Sequence, residues 1–337
     1  MTPISRKTKV FFLCCLLLLA AGGWLFLQRD SGPPTPLTLR LGLARQPDSA
    51  LALIALEKGF FAAEGLQVEL HNYPNCIGAM SEGLNAGVVD VISSSDIPMA
   101  HAAIHRRPFR ILCKMADSTD INRIVARGDR DIATLADLKN KVIAIQQDSA
   151  SHYFLHLLLR SLNLTDQELH IRFLPTEDLP HALSEGTIDA FAMREPIVTR
   201  AVAQLGATAV ILSAPGLYHQ AGLLVADAAW LQQSPQAAER LLRALLRAEN
   251  FVREQPEAAT AMLATQLAVS PETIGQIIQP YRLQLTLPQS LVVALEQQAD
   301  WLLQGHPEYQ GPPPNFLDSI APRPLERIKP SAVTYIH

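Results

Sequence analysis

Aromatic residues are scarce in this chain, at 6 % of 337 positions, cysteine occurs four times, and neither sign of charge dominates. Each shortage removes a class of function. Few aromatics leave little material for the stacking platforms that hold single-stranded nucleic acid. A net charge of −4 supplies no basic face for a phosphate backbone, so no nucleic-acid partner is expected. Four cysteines, two of them inside an apolar stretch, are too few for a disulfide scaffold. A nucleophile elbow, an H-E-x-x-H zinc motif and a Walker loop are absent from the sequence. The chain is therefore expected not to be an enzyme, and no cofactor or metal is implied.

What is present reads as a globular body behind a short leader. Hydrophobic residues make up 48 % and charged residues 18 %, and the length suits about two domains with a sizeable core. Residues 1–9 are basic through Arg6, Lys7 and Lys9. Residues 10–27 are apolar and serve equally as a signal peptide or a transmembrane anchor. Positive charge ahead of that segment keeps the N-terminus inside and places the body outside, with the membrane as a partner through this segment. Residues 28–36, ending in S-G-P-P-T-P, form a Pro-rich linker, so the fold is expected to begin at Leu37. Cys76 and Cys113 either pair in an oxidising compartment or stay as buried free thiols.

An imperfect duplication organises the body. Residues 37–43 alternate apolar and polar positions and read as a strand, followed by Q-P-D-S-A (46–50) and a helical apolar pattern. One hundred residues on, the strand 142–145 is followed by Q-D-S-A (147–150) and the helix 154–162. The second half of each unit matches as well. L-N-A-G-V-V-D-V (84–91) leads into S-D-I-P (95–98), and L-S-E-G-T-I-D-A (183–190) leads into R-E-P (194–196). Gly87 and Gly186 suit left-handed helix ends, and the alternation of strand and helix implies α/β units with mostly parallel strands. Ligands of such units sit beyond the carboxyl ends of strands, at helix N-termini. The loops there are 45–49 and 93–96 in the first unit, and 147–153 and 193–195 in the second. Arg45, Gln46 and Arg194 thereby join the candidate ligand-binding residues.

Two crossings, at 120–126 and 222–225, bracket the second unit. They divide the body into lobe 1, residues 37–120 plus 227–337, and lobe 2, residues 121–226. After Asp227 the chain reads as helical, with Pro235, Pro256, Pro271 and Pro288 at helix starts, and a proline-rich tail from 311 wraps the surface. His101 and His105 lie four apart and invite a metal reading. A partly exposed helix running into Arg106 and Arg107 accounts for them equally, and no metal site is assigned.

The stretch E-K-G-F-F-A-A-E-G-L (57–66) carries a family resemblance, together with L-N-A-G-V-V-D (84–90), S-D-I-P (95–98), L-A-D-L-K-N-K (135–141), S-A-S-H-Y (149–153) and E-G-T-I-D-A (185–190) before R-E-P. In order and spacing these resemble the solute-binding proteins of bacterial ABC importers for aliphatic sulfonates, taurine, nitrate and thiamine precursors. The resemblance implies a type II periplasmic-binding fold, two α/β lobes around a ligand cleft with C-terminal helices. It implies capture of a small polar organic solute, sulfonate- or taurine-like or a nitrogen heterocycle, by hinge closure. It also implies a monomer on the periplasmic side of the inner membrane that docks on ABC permease subunits. Carried over by position, the cleft walls are Asn75, Ser94, Ser95 and Asp96 in lobe 1, and Ser149, Ser151, His152, Tyr153 and Glu195 in lobe 2. Where relatives often carry an aromatic before the acidic-Pro pair, this chain has Arg194. Other uses of the same cleft are a membrane-tethered ligand sensor and a two-lobed enzyme.

Overall fold

The alternation in L-T-L-R-L-G-L-A makes Leu37–Ala44 a strand, with Leu39, Leu41 and Leu43 fully buried. This computed structural model describes residues 36–306, 308–309 and 312–334. The expectations for residues 1–9, 10–27 and 28–35 lie outside them. Among the described residues no helix is long and apolar enough to cross a membrane.

Among the described residues twelve strands build two sheets. They are β1 (Leu37–Ala44), β2 (Leu66–Tyr73), β3 (Val91–Ser95), β4 (Phe109–Ser118), β5 (Arg123–Arg127), β6 (Val142–Ile145), β7 (His170–Phe173), β8 (Ala190–Met193), β9 (Ala209–Ser213), β10 (Gln220–Asp227), β11 (Tyr281–Pro288) and β12 (Val333–Thr334). The first sheet runs β12-β11-β4-β10-β3-β1-β2 and the second β7-β6-β8-β5-β9. In each copy of the duplication the pairing is parallel, β1 with β3 and β6 with β8.

The repeated Gly-x-x-Asp explains that pairing. Gly87 and Gly186 take φ of 69° and 74°, open to glycine at no steric cost. Each lets the chain turn back so that an aspartate meets the neighbouring strand. Asp90 Oδ2 accepts from Arg40 N at 2.9 Å while Asp90 N donates to Arg40 O at 2.8 Å. Asp189 Oδ2 accepts from Val142 N at 2.8 Å while Asp189 N donates to Val142 O at 2.8 Å. One carboxylate thus clamps the start of a parallel pair in each lobe.

The C-terminal region departs from an all-helical reading. Helices Pro235–Glu254, Pro256–Leu267, Pro271–Ile278 and Gln289–Gly305 are present, yet Y-R-L-Q-L-T-L-P forms β11 against β4. The tail does not only wrap the surface. It contributes β12 beside β11, and Lys329 pairs with the buried Glu249, which also accepts from Leu285 N.

The chain passes between the sheets at 119–122 and 214–219 rather than at 120–126 and 222–225, because 123–126 lie inside β5 of the second sheet and 220–226 inside β10 of the first, which takes them out of the expected lobe 2. Buried polar groups pin both passages. Asn122 Nδ2 donates to Gln220 Oε1 at 3.2 Å. Asp96 accepts four bonds: Oδ1 from Tyr218 Oη at 2.7 Å and Ile97 N at 3.0 Å, Oδ2 from Gln298 Nε2 at 3.0 Å and Ala221 N at 3.2 Å. Replacing Asp96 by alanine strands three buried donors outside its own helix turn, and D96A is expected to lose about 2–4 kcal/mol of unfolding free energy. Chemical denaturation checks this; a loss below about 1 kcal/mol, the net value of one ordinary hydrogen bond, would contradict the anchoring role.

Candidate functional site

A cavity of ≈ 320 Å³ lies between the two sheets where their loops meet. Its first wall comes from Arg45, Gln46 and Pro47 after β1, from Pro74–Ile77 after β2, and from Ser95 and Pro98 after β3. Leu267 and Ile277 of two C-terminal helices, with Val269 in the loop between them, add an apolar rim. The second wall is Gln146 with Asp148–Ser151 after β6, Thr176 and Glu177 after β7, and Met193–Ile197 after β8. Both walls therefore lie at carboxyl ends of strands, where the fold leaves helix N-termini free to face a ligand.

Local sequence sets each wall residue. Ser149, in extended conformation, caps the helix Ala150–Ser161: its Oγ accepts from His152 N at 3.2 Å and donates to Gln146 O at 2.7 Å. Asn75 caps the next turn, accepting from Gly78 N at 2.9 Å. Glu195 Oε2 accepts from Thr199 N at 3.0 Å. Ser151 Oγ donates to Asn122 Oδ1 at 3.2 Å, joining the cavity wall to the first passage between lobes. Arg45 is held within the first lobe, Nε donating to Asn72 Oδ1 and Nη1 to Gln266 O, both at 3.0 Å.

Two contacts cross the cleft. Arg194 Nη2 donates to Gln46 Oε1 at 3.1 Å, and the same oxygen accepts from Cys76 Sγ at 3.7 Å. At the mouth, His306, just past the helix Gln289–Gly305, brings Nε2 to 2.9 Å from Asp148 Oδ2. Its Nδ1 stands 2.8 Å from Glu308 Oε1. Tyr309 lies tilted beside it, ring centroids 5.1 Å apart, and meets the His101 and His105 rings edge-on, which themselves stack at 4.6 Å. Cys76 and Cys113 are free and buried, and burial pushes the Cys76 thiol up to about 12.

Of the residues expected at the cleft, Arg45, Gln46, Asn75, Ser95, Ser149, Ser151, Arg194 and Glu195 line the cavity. Ser94, Asp96, His152 and Tyr153 do not. Ser94 follows from strand alternation: Ser93 turns to Ala44 N and Ser49, Ser95 to the cavity, and Ser94 to the opposite face. Asp96 is wholly enclosed by its four donors. His152 and Tyr153 rotate past the cavity at 100° per residue and pack against Trp301 at 4.9 Å and 5.2 Å. Gln146, Asp148, Thr176 and Glu177 line the cavity too, beyond the residues expected at the cleft. The duplication carries a signal for two of them, since Gln146 and Asp148 stand one hundred residues after Gln46 and Asp48. Thr176 Oγ1 donates to Gln146 Oε1 at 2.9 Å, a contact between separate loops that no local pattern announces.

Known proteins share this arrangement. The NMT1-like family matches residues 32–268. A protein of Escherichia coli (strain K12) named for binding aliphatic sulfonates is 26 % identical over 221 residues, 65 % of this chain and 69 % of its own length. The crystal structure of the periplasmic aliphatic sulphonate binding protein SsuA from Escherichia coli superimposes with a TM-score of 0.71 at 21 % identity, covering 85 % of this chain and 97 % of that one. The alkanesulfonate-binding protein SsuA from Xanthomonas axonopodis pv. citri, bound to MOPS, gives 0.67 at 18 % identity, over 85 % and 99 % of the two chains. At these identities the two structures establish the fold, a periplasmic-binding-protein architecture.

The contact at the mouth depends on pH. Hydrogen bonding to Glu308 and the nearby Asp148 raise the His306 pKa above its ordinary 6.5 against the opposing effect of burial. A raised histidine pKa contributes stability that is complete below pH 6.5 and lost as pH rises through the folded value. The difference in melting temperature between wild type and H306Q is thus expected to be largest near pH 5.5 and to shrink toward pH 8.5; a difference independent of pH would exclude an ionic contact.

Proposed function

The chain belongs to the NMT1-like family, and on that premise we propose that it is the solute-capturing component of an ABC importer. It works on the periplasmic side of the bacterial inner membrane. A small polar organic solute enters the cleft, the lobes close about the passages 119–122 and 214–219, and the closed form docks on permease subunits. The observation that carries this reading is the ≈ 320 Å³ cavity, walled by loops of both sheets and bridged by Arg194–Gln46 and Asp148–His306.

The chemistry of the lining supports capture rather than turnover. The Cys76 thiol, pushed up to about 12 by burial, is protonated at neutral pH and a poor nucleophile. The Ser149 and Ser151 hydroxyls already donate to Gln146 O and Asn122 Oδ1, amide oxygens that take no proton at neutral pH. The wall carries three acids, Asp148, Glu177 and Glu195, and two arginines, Arg45 and Arg194. Mixed charge of this kind suits a solute bearing both a donor and an anionic end, such as an aminosulfonate, or a polar nitrogen heterocycle. The helix N-terminus behind Ser149 suits the anionic end.

The test is a thermal-shift screen of the full chain against alkanesulfonates, taurine, nitrate and pyrimidines. A cargo at one hundred times its dissociation constant adds about 2.7 kcal/mol of stability. A shift is expected with one organic class and is expected to fall sharply in S149A and E195A. A full panel without any shift in wild type would overturn the reading.

A further inference from the structure

We propose that Arg194 and Asp48 form a charge couple across the cleft that determines specificity: it keeps the cavity floor electroneutral, excludes small inorganic anions, and reserves the remaining guanidinium N–H groups for the oxygens of an organic solute. This deepens the solute-binding reading and rests on it.

The couple is built from both lobes. Arg194 follows β8 of the second sheet, and its Nη2 reaches Gln46 Oε1 at 3.1 Å, two residues from Asp48. Asp48 is 5 % exposed. It packs on β10 at Gly222, where an added Cβ would stand 2.5 Å from the Asp48 Cβ. Glycine in β10 is therefore what admits Asp48 to this position. Asp48 Oδ1 is buried with no hydrogen-bond partner. A carboxylate so enclosed is costly unless a cation stands near it. Burial pushes its pKa up, and the charge of Arg194 is the largest influence holding it down. The reverse also holds: burial acts against the Arg194 charge, and Asp48 is the largest influence sustaining it.

The surroundings leave the couple to balance itself. Cys76 and Tyr281 are both driven toward their neutral forms by burial. Asp96, the other carboxylate acting on Asp48, is enclosed by four donors of its own. Arg45 is engaged by Asn72 and Gln266. A small inorganic anion needs an uncompensated cation or a ring of N–H donors. Here it meets a guanidinium whose charge is opposed by the buried Asp48 without a direct ion pair, beside a wall with an acidic excess. A guanidinium has five N–H donors, so one bond to Gln46 leaves the others for neutral or zwitterionic oxygens.

Sulfate serves as the probe, titrated calorimetrically into the full chain. D48N keeps the side-chain shape and removes the counter-charge, so sulfate is expected to bind at least about tenfold more tightly to D48N than to wild type. The gain is expected to vanish in D48N/R194Q. Equal sulfate affinity in wild type and D48N, including no binding by either, would overturn the couple. Should D48N fail to fold, melting temperatures decide: D48N/R194Q is expected to melt above R194Q, which leaves a buried carboxylate without its cation, and an equal or lower value would also overturn it. Sulfate is not offered as the cargo. A wild-type chain that bound no organic solute would therefore count against the solute-binding reading and leave this result standing.

Discussion

A single carboxylate, that of Asp96, ties the return passage, the first sheet and the long C-terminal helix together. Enclosing an ionisable group is unfavourable, and burial does raise its pKa, but four donors converge on it from different parts of the chain. Tyr218 comes from the return passage, Ala221 from β10, Gln298 from the long C-terminal helix and Ile97 from the turn Asp96 begins. The floor of the cleft follows from that arrangement: Ser95 precedes Asp96 and faces the cavity, and Gly222, one residue after Ala221, makes room for Asp48.

Much of this was legible in the sequence because the fold is duplicated. A strand, a polar loop and a helix recurring one hundred residues apart located β1, β6 and the loops beyond them. The Gly-x-x-Asp of each copy marked the parallel pairings, and the side-chain bonds of Asp90 and Asp189 give that spacing its cause. Where the reading stopped, the reasons are physical. Leu283, Leu285 and Leu287 alternate as a strand should, but they sit between helix-starting prolines that suggested continuous helix. Asp96 reads as a cleft-wall residue because a sequence does not reveal that Tyr218 and Gln298 will converge on it. His152 and Tyr153 follow Ser151 directly, yet helical rotation carries them away from the cavity. The pairing of Thr176 with Gln146 joins two loops through the fold alone.

Fold and cargo are recorded at different depths. The architecture tolerates identities near 20 % to solved relatives, because it needs only apolar strands, capped helices and two clamping aspartates. The cavity is set by single side chains, Arg194 among them, whose charges act over a few ångströms. A change to one of them leaves the lobes intact while altering what they enclose.

The late arrival of β11 and β12 has a consequence for how the molecule comes to exist. β4 is complete by residue 118, yet β11, its neighbour across the first sheet, begins at Tyr281. Lobe 2 lies wholly between these points and can form while the first sheet still presents a bare edge along β4. During vectorial synthesis that edge stays open for more than one hundred and sixty residues of chain growth, since 281 less 118 is 163. An unpaired strand is a template for wrong partners. Until β11 pairs with β4, the first lobe is thus the half that exposes an unprotected strand edge.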